Sequence, residues 1–182
     1  DVYYYEVAQK VGIDKIAEMG RRLGLGIRHD LPMSAITDGI MPDKAWKRER
    51  YDQEWRVGDT INASIGQGYV LASPLQLAVM TARVATGKMV EPRLIKAVGG
   101  KPVEVPEPAS IGLTPAQLRS VQTGMYDVMN TERGTAKSSR IADDSMLMAG
   151  KTGTAQVRNI SAAERASGVV SNDQLPWERR DH

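Results

Sequence analysis

The chain has 182 residues, 41% hydrophobic and 25% charged, enough for one domain or a large piece of one and too apolar for a disordered tail. Its 24 basic and 22 acidic residues leave a formal net charge of +2, which argues against a nucleic-acid partner, and the absence of cysteine excludes disulfides, thiolate metal sites and cysteine catalysis. His29 and His182 have no metal-ligand spacing and no 18-residue apolar run occurs, so no metal, no cofactor and no membrane span are expected within these residues.

Residues 3 to 23 carry a helical apolar pattern (Tyr4, Val7, Ala8 and Val11, then Ile13, Ile16, Ala17, Met19 and Leu23), interrupted at Gly12 and stopped by Gly24 and Gly26. The Tyr3-Tyr4-Tyr5 run could stack on bases or sugars, but helical spacing divides the rings between faces and favours core packing. Residues 27 to 59 have no long periodic run and read as an excursion over the surface. Within it, Trp46, Tyr51 and Trp55 stand among the charges of Lys44 to Arg56, either as an interaction surface or as a solvated loop with snorkelling aromatics.

The glycines of Gly58 to Gly68 predict backbone in close approach to something; no Gly-Lys-Ser or Gly-Lys-Thr follows that would make this a phosphate loop. Ser73, Pro74 and Gln76 form a capping-box signature that opens a helix to Thr86, with Gly87 as its stop. A strand is expected over 89 to 98, with Pro92 at an edge or bulge, and a linker over 99 to 112. Thr114 and Gln117 repeat the capping signature for a helix through about Met129, followed by a loop from Asn130 to Lys137 containing Gly134. Met146 to Val157 alternates as a strand with Met146 and Met148 as core filler, and 158 to 182 reads as polar loop. Helices with separated strands make this an α/β (α+β) chain. Both ends read as cut, since residue 1 opens directly into Val2 and the chain stops in the polar Arg179-Arg180-Asp181-His182.

One short motif has a direct chemical reading, Lys151-Thr152-Gly153-Thr154. The triplet alone is weak. Period-two alternation places Lys151 as the only charge in a row of Leu147, Ala149, Gly153, Ala155 and Val157. An ammonium buried on such a face needs a partner or a site, unless the strand end simply leaves it in water. Gly153 leaves room beside the strand, and the hydroxyls of Thr152 and Thr154 suit a carboxylate. The pattern fits a groove for an extended, anionic peptide end.

This stretch, through Ala155-Gln156, resembles the third motif of the penicillin-binding proteins and serine β-lactamases. Asp1-Val2-Tyr3-Tyr4-Tyr5 resembles the sequence at the end of the second motif in class B penicillin-binding proteins of the penicillin-binding protein 2 type, where Asp1 would be that motif's last residue. The likeness continues in order through Gly58-Asp59, Ile65-Gly66-Gln67-Gly68, Ser73-Pro74-Leu75-Gln76 and Gly134-Thr135-Ala136. The family's nucleophile motif, Ser-x-x-Lys, is absent from these residues.

The resemblance implies a penicillin-binding protein/serine β-lactamase-like transpeptidase fold, of which residues 1–182 would run from just after the second motif to the loop after the Lys-Thr-Gly strand. It implies peptidoglycan D,D-transpeptidation in the full-length protein and no activity for this piece alone. Lys151 would supply positive charge and proton traffic, Thr152 and Thr154 would bind a carboxylate, Gly153 would leave room, and Asp1 would touch the donor peptide. The backbone N–H of Thr154 would be one oxyanion-hole donor. Implied partners are the peptidoglycan stem peptide, β-lactam antibiotics, a membrane glycosyltransferase and elongation-complex proteins, at a periplasmic location anchored to the inner membrane. A serine β-lactamase or D,D-carboxypeptidase shares the third motif, and a non-catalytic β-lactam-sensing or scaffold module would suit the missing serine.

Overall fold

The computed structural model describes residues 2–143, 145–153 and 162–180. They form two compact units, one ending at Arg119 and one beginning at Ser120.

The pattern over 3 to 23 resolves into two helices, α1 (Val2–Val11) and α2 (Ile13–Arg22). Gly12 parts them with φ +83, in open space, so the requirement there is conformational rather than steric. Ala8, Ile13 and Ala17 are buried where α1 packs on α2 and on α4 (Val57–Ala63). The tyrosines do not follow the core-packing expectation. Tyr3 and Tyr4 are 71% and 61% exposed and stack edge to face, and only Tyr5, three residues before Ala8, turns partly inward.

The surface excursion contains a helix, α3 (Lys44–Tyr51). The Asp43 carboxylate caps it by accepting from the Trp46 N–H at 2.8 Å, and Asp52 ends it in the left-handed region at φ +52. An apolar-periodicity test passes over it because its one buried side chain is a lysine, Lys47. Of the glycines of 58 to 68 only Gly68 is a site of close approach, where a Cβ would stand 3.1 Å from Asn62 Cβ. Gly58 lies inside α4 in open space, and Gly66 and Gly68 are needed for φ values of +74. A tighter approach occurs at Gly26, where a Cβ would stand 2.5 Å from the Met41 backbone N.

Helix α5 (Pro74–Thr86) forms as its capping box predicts, with Gln76 N–H donating to Ser73 Oγ at 3.2 Å and Ser73 N–H to Gln76 Oε1 at 3.1 Å. The Gln76 amide, fully buried, also donates to the carbonyls of Ile27 and Asp38, both at 2.8 Å, which fixes the loop after α2. Arg83 on the same helix is buried too. It donates to Arg22 O at 2.8 Å, to Val90 O at 3.1 Å and to the Glu91 carboxylate, which also meets His29 Nδ1 at 3.0 Å.

The strand expected over 89 to 98 shrinks to β1 (Ala97–Val98), paired antiparallel with β2 (Lys101–Pro102). Gly99 and Gly100, at φ +57 and +78, supply the two positive values that a tight hairpin turn requires. The expected linker is partly this hairpin. Its remainder returns alongside the end of α5, with Met89 N–H donating to Ala109 O at 2.7 Å and Ile111 N–H to Gly87 O at 3.0 Å.

Helix α6 (Pro115–Asn130) opens on its predicted cap, Gln117 N–H donating to Thr114 Oγ1 at 3.3 Å. Beyond it the strand expected over 146 to 157 is absent across 146 to 153, and 154 to 157 lie outside the described residues. Met146 and Met148, expected in the core, are exposed. The polar stretch after 158 holds a short helix, α7 (Ala162–Ser167), and 3-10 turns at Asn172–Gln174 and Trp177–Arg179. Among the described residues no helix is long and apolar enough to cross a membrane.

Candidate active-site segment

The second unit carries the Lys-Thr-Gly motif on an extended stretch hydrogen-bonded to the last turns of α6. The Gly150 N–H donates to Met125 O at 3.0 Å, using a carbonyl lone pair that the helix leaves free. The side chain of Asn130, the last residue of α6, donates to Met148 O at 2.8 Å and to Tyr126 O at 2.9 Å. The turn after α6 is closed by Ala136 N–H on Val128 O at 3.0 Å, and a Cβ on Gly134 would stand 2.5 Å from that same carbonyl. Glycine is therefore required at the centre of Gly134-Thr135-Ala136 to bring the chain back against α6.

Lys151, Thr152 and Gly153 follow this anchored stretch and are all exposed. Lys151 Nζ folds onto its neighbour, donating to Thr152 O at 2.7 Å and to Thr152 Oγ1 at 3.3 Å. Of the two readings of Lys151, the solvated one is observed: the ammonium is exposed and rests on its neighbour, from which it can turn toward an anion. Among the described residues no atom lies within 4 Å of where a Gly153 Cβ would stand, so the backbone is open to them on that side. An open ammonium, a hydroxyl and an unobstructed backbone can together receive a carboxylate. Thr154 and Asp1, the remaining candidates, lie outside the described residues. Among the described residues no group of three or more His, Asp or Glu is placed to hold a metal ion.

Asn130 escaped the sequence reading as a positioning residue. Its only signal was an amide at the last position of a helix, where side chains often bond nearby carbonyls.

Residues 1–170 match the sequence pattern of the penicillin binding protein transpeptidase domain. The chain belongs to the penicillin-binding protein transpeptidase family. It is 37% identical over 171 residues to the peptidoglycan D,D-transpeptidase MrdA of Haemophilus influenzae, covering 91% of this chain and 26% of that protein. Among solved structures, penicillin-binding protein 2 of Pseudomonas aeruginosa in complex with WCK 5153 superposes with a TM-score of 0.77 at 42% identity, covering 86% of this chain and 36% of that one. Penicillin-binding protein 2 of Helicobacter pylori, solved in complex with MreC, gives 0.73 at 38% identity, covering 86% and 29%. The likeness is thus to the penicillin-binding protein 2 type, and the described elements belong to the α+β fold of its transpeptidase domain. This chain spans 26% and 30% of the length of the first two curated relatives it matches.

Proposed function

We propose that the protein is a serine-type peptidoglycan D,D-transpeptidase of the penicillin-binding protein 2 type, crosslinking stem peptides during cell-wall elongation. This chain is the C-terminal part of its transpeptidase domain, from just after the second motif to the loop beyond the Lys-Thr-Gly segment. The observation that carries this reading is the family match over residues 1–170 with Lys151-Thr152-Gly153 exposed inside it.

In the reaction the nucleophilic serine oxygen bonds to the carbonyl carbon between two D-alanines. The carbon–nitrogen bond breaks, and the hydroxyl proton leaves with the terminal D-alanine amine. An amine of a second stem peptide then attacks the ester, and the serine regains a proton as the crosslink forms. Lys151 supplies positive charge and helps move these protons. Thr152 and Thr154 hold the carboxylate of the terminal D-alanine or of a β-lactam, the Thr154 N–H serves the oxyanion, and Gly153 leaves room for the donor. Asp1 orients the loop it closes and touches the donor peptide. The 182 residues contain no Ser-x-x-Lys, so the chain alone forms no acyl-enzyme.

The proposed location is the periplasmic face of the inner membrane, with an anchor outside this chain. The MreC complex of the Helicobacter pylori relative supports elongation-complex proteins as partners, and a membrane glycosyltransferase is proposed beside them. The test is labelling of the full-length protein with a fluorescent penicillin. Lys151→Ala is expected to abolish labelling with the melting temperature unchanged, and undiminished labelling would sink the assigned role.

A further inference from the structure

The β1–β2 hairpin of the first unit has a face that the buried core does not use. Ala97 pairs with Pro102 and Val98 with Lys101, and the Val103 N–H donates to Lys96 O at 3.0 Å, which sets Val103 opposite Lys96. Side chains directly opposite share a face, and residues two apart return to it. One face therefore presents Lys96, Val98, Lys101 and Val103. Val98 and Val103 are 65% and 40% exposed. On the other face stand Ala97, Pro102 and, two residues from Pro102, Glu104.

Lys96 and Lys101 are diagonal neighbours on this face, where like charges destabilise each other. Among the described residues neither has a carboxylate partner within ion-pair distance: nearby Glu107 is bonded to Lys88, and Glu104 belongs to the opposite face. An apolar strip crossed by two adjacent, uncompensated ammonium groups is the complement of a carboxylate flanked by aliphatic side chains.

We infer that the face formed by Lys96, Val98, Lys101 and Val103 docks an acidic, aliphatic segment of another protein, with one carboxylate bridging Lys96 and Lys101. The pairing of charge with apolar area sets the register of the incoming segment: its carboxylate lies on the diagonal, and its aliphatic side chains cover Val98 on one side and Val103 on the other. The inference does not depend on the transpeptidase reading.

The experiment places a photoreactive benzophenone amino acid at Val98 of the full-length protein in its native membranes. Irradiation is expected to give an adduct with a different polypeptide. Mass spectrometry of the crosslinked peptide should place carboxylates between aliphatic residues. Charge reversal by Lys96→Glu with Lys101→Glu is expected to lower the yield about tenfold, and neutralisation by Lys96→Gln with Lys101→Gln to lower it less. An adduct only to the protein's own chain or to a second copy, an adduct indifferent to both charge variants, or no adduct at all would overturn the inference. Penicillin labelling of the same samples should be unchanged; its absence in every sample, wild type included, would count against the transpeptidase reading and leave the crosslink to decide the docking face.

Discussion

Lys47 and Asp59 form a buried ion pair, Nζ to Oδ2 at 2.5 Å, with side chains 3% and 17% exposed. The ammonium also lies 5.9 Å from the Trp55 ring centre and 5.6 Å from that of Tyr69, and Trp46 and Tyr51 pack against Tyr69. The pair joins α3 to the start of α4, where Asp59 accepts from the Arg56 N–H at 2.8 Å. Removing one partner strands the other charge under the rings. Asp59→Leu or Lys47→Met is expected to cost about 3 kcal/mol, whereas the double change to Asp59→Leu with Lys47→Met should recover part of that loss. Chemical denaturation of the four proteins measures this, and additive losses would show that the two side chains do not act as a pair.

The same carboxylate gives a pH dependence. Burial pushes the Asp59 carboxyl up, but the Lys47 hydrogen bond, the Arg56 N–H and the charges of Lys47 and Arg56 outweigh it and hold it below the usual aspartate value. At Asp43, burial also pushes up, and the Trp46 N–H together with Arg21, 2.5 Å away, outweighs it in the same direction. A carboxyl whose folded value is depressed binds fewer protons folded than unfolded. Its stabilisation is therefore complete above the unfolded aspartate value and is lost as pH falls through the folded one. The melting temperature should accordingly drop in that acidic window. Asp59→Asn with Asp43→Asn should start lower at neutral pH and show a flatter acid slope. An identical slope in the double variant would assign the acid loss to other groups.

Arg83 and Glu91 are unequal partners, because Arg83 is fully buried and the Glu91 side chain is 58% exposed. Arg83→Ala would leave the Arg22 and Val90 carbonyls without that donor and open a gap between α5 and the end of α2, at an expected cost of about 3 kcal/mol. Glu91→Gln keeps a side-chain acceptor at a wet position and is expected to cost about 1 kcal/mol. Thermal melts of both variants check the order, and a larger loss for Glu91→Gln would reverse this account.

What was legible in the sequence were the devices that act locally. Ser73-Pro74-Gln76 and Thr114-Gln117 opened helices where predicted, since a cap needs only its own first turn, and Gly12, Gly24 and Gly87 marked real stops. Long-range polar burial was illegible. Lys47 and Arg83 look like solvated charges in sequence and are buried because Asp59 and Glu91, 12 and 8 residues away, turn to meet them. At the candidate site the motif is read from its residues alone, and over 146 to 153 the expected strand does not form: the alternation there sits on an exposed stretch held to α6 rather than in a sheet. Periodicity reports which faces differ, and strand structure also needs a neighbour to pair with.

Gly153 separates room for substrate from room for folding. A Cβ there meets nothing within 4 Å among the described residues, so Gly153→Ala is expected to leave the melting temperature within about 0.5 kcal/mol equivalent of the wild type. If the donor peptide lies against that backbone, the methyl group obstructs it. Fluorescent-penicillin acylation of the full-length protein should then slow about tenfold or more. Acylation at the wild-type rate would show that the space beside Gly153 is not where the ligand lies.

Asn130 touches no proposed reacting atom and should act only through Met148, whose carbonyl its amide holds two residues before Gly150. Asn130→Asp keeps the size and removes the donor, setting a carboxylate against the Met148 carbonyl. The Gly150 N–H bond to Met125 O remains, so the segment should loosen without detaching. The residue is half-buried but its hydrogen bonds are exposed, which keeps the stability cost near 1 kcal/mol. The acylation rate should fall only a few-fold, far less than for Lys151→Ala, since every group that meets the ligand is still present. The signature of positioning is a loss that appears as weaker initial penicillin binding and is partly restored by Asn130→Gln, whose longer amide can still reach the carbonyl. A loss as complete as that of Lys151→Ala, with no restoration by glutamine, would place Asn130 in the reacting site instead.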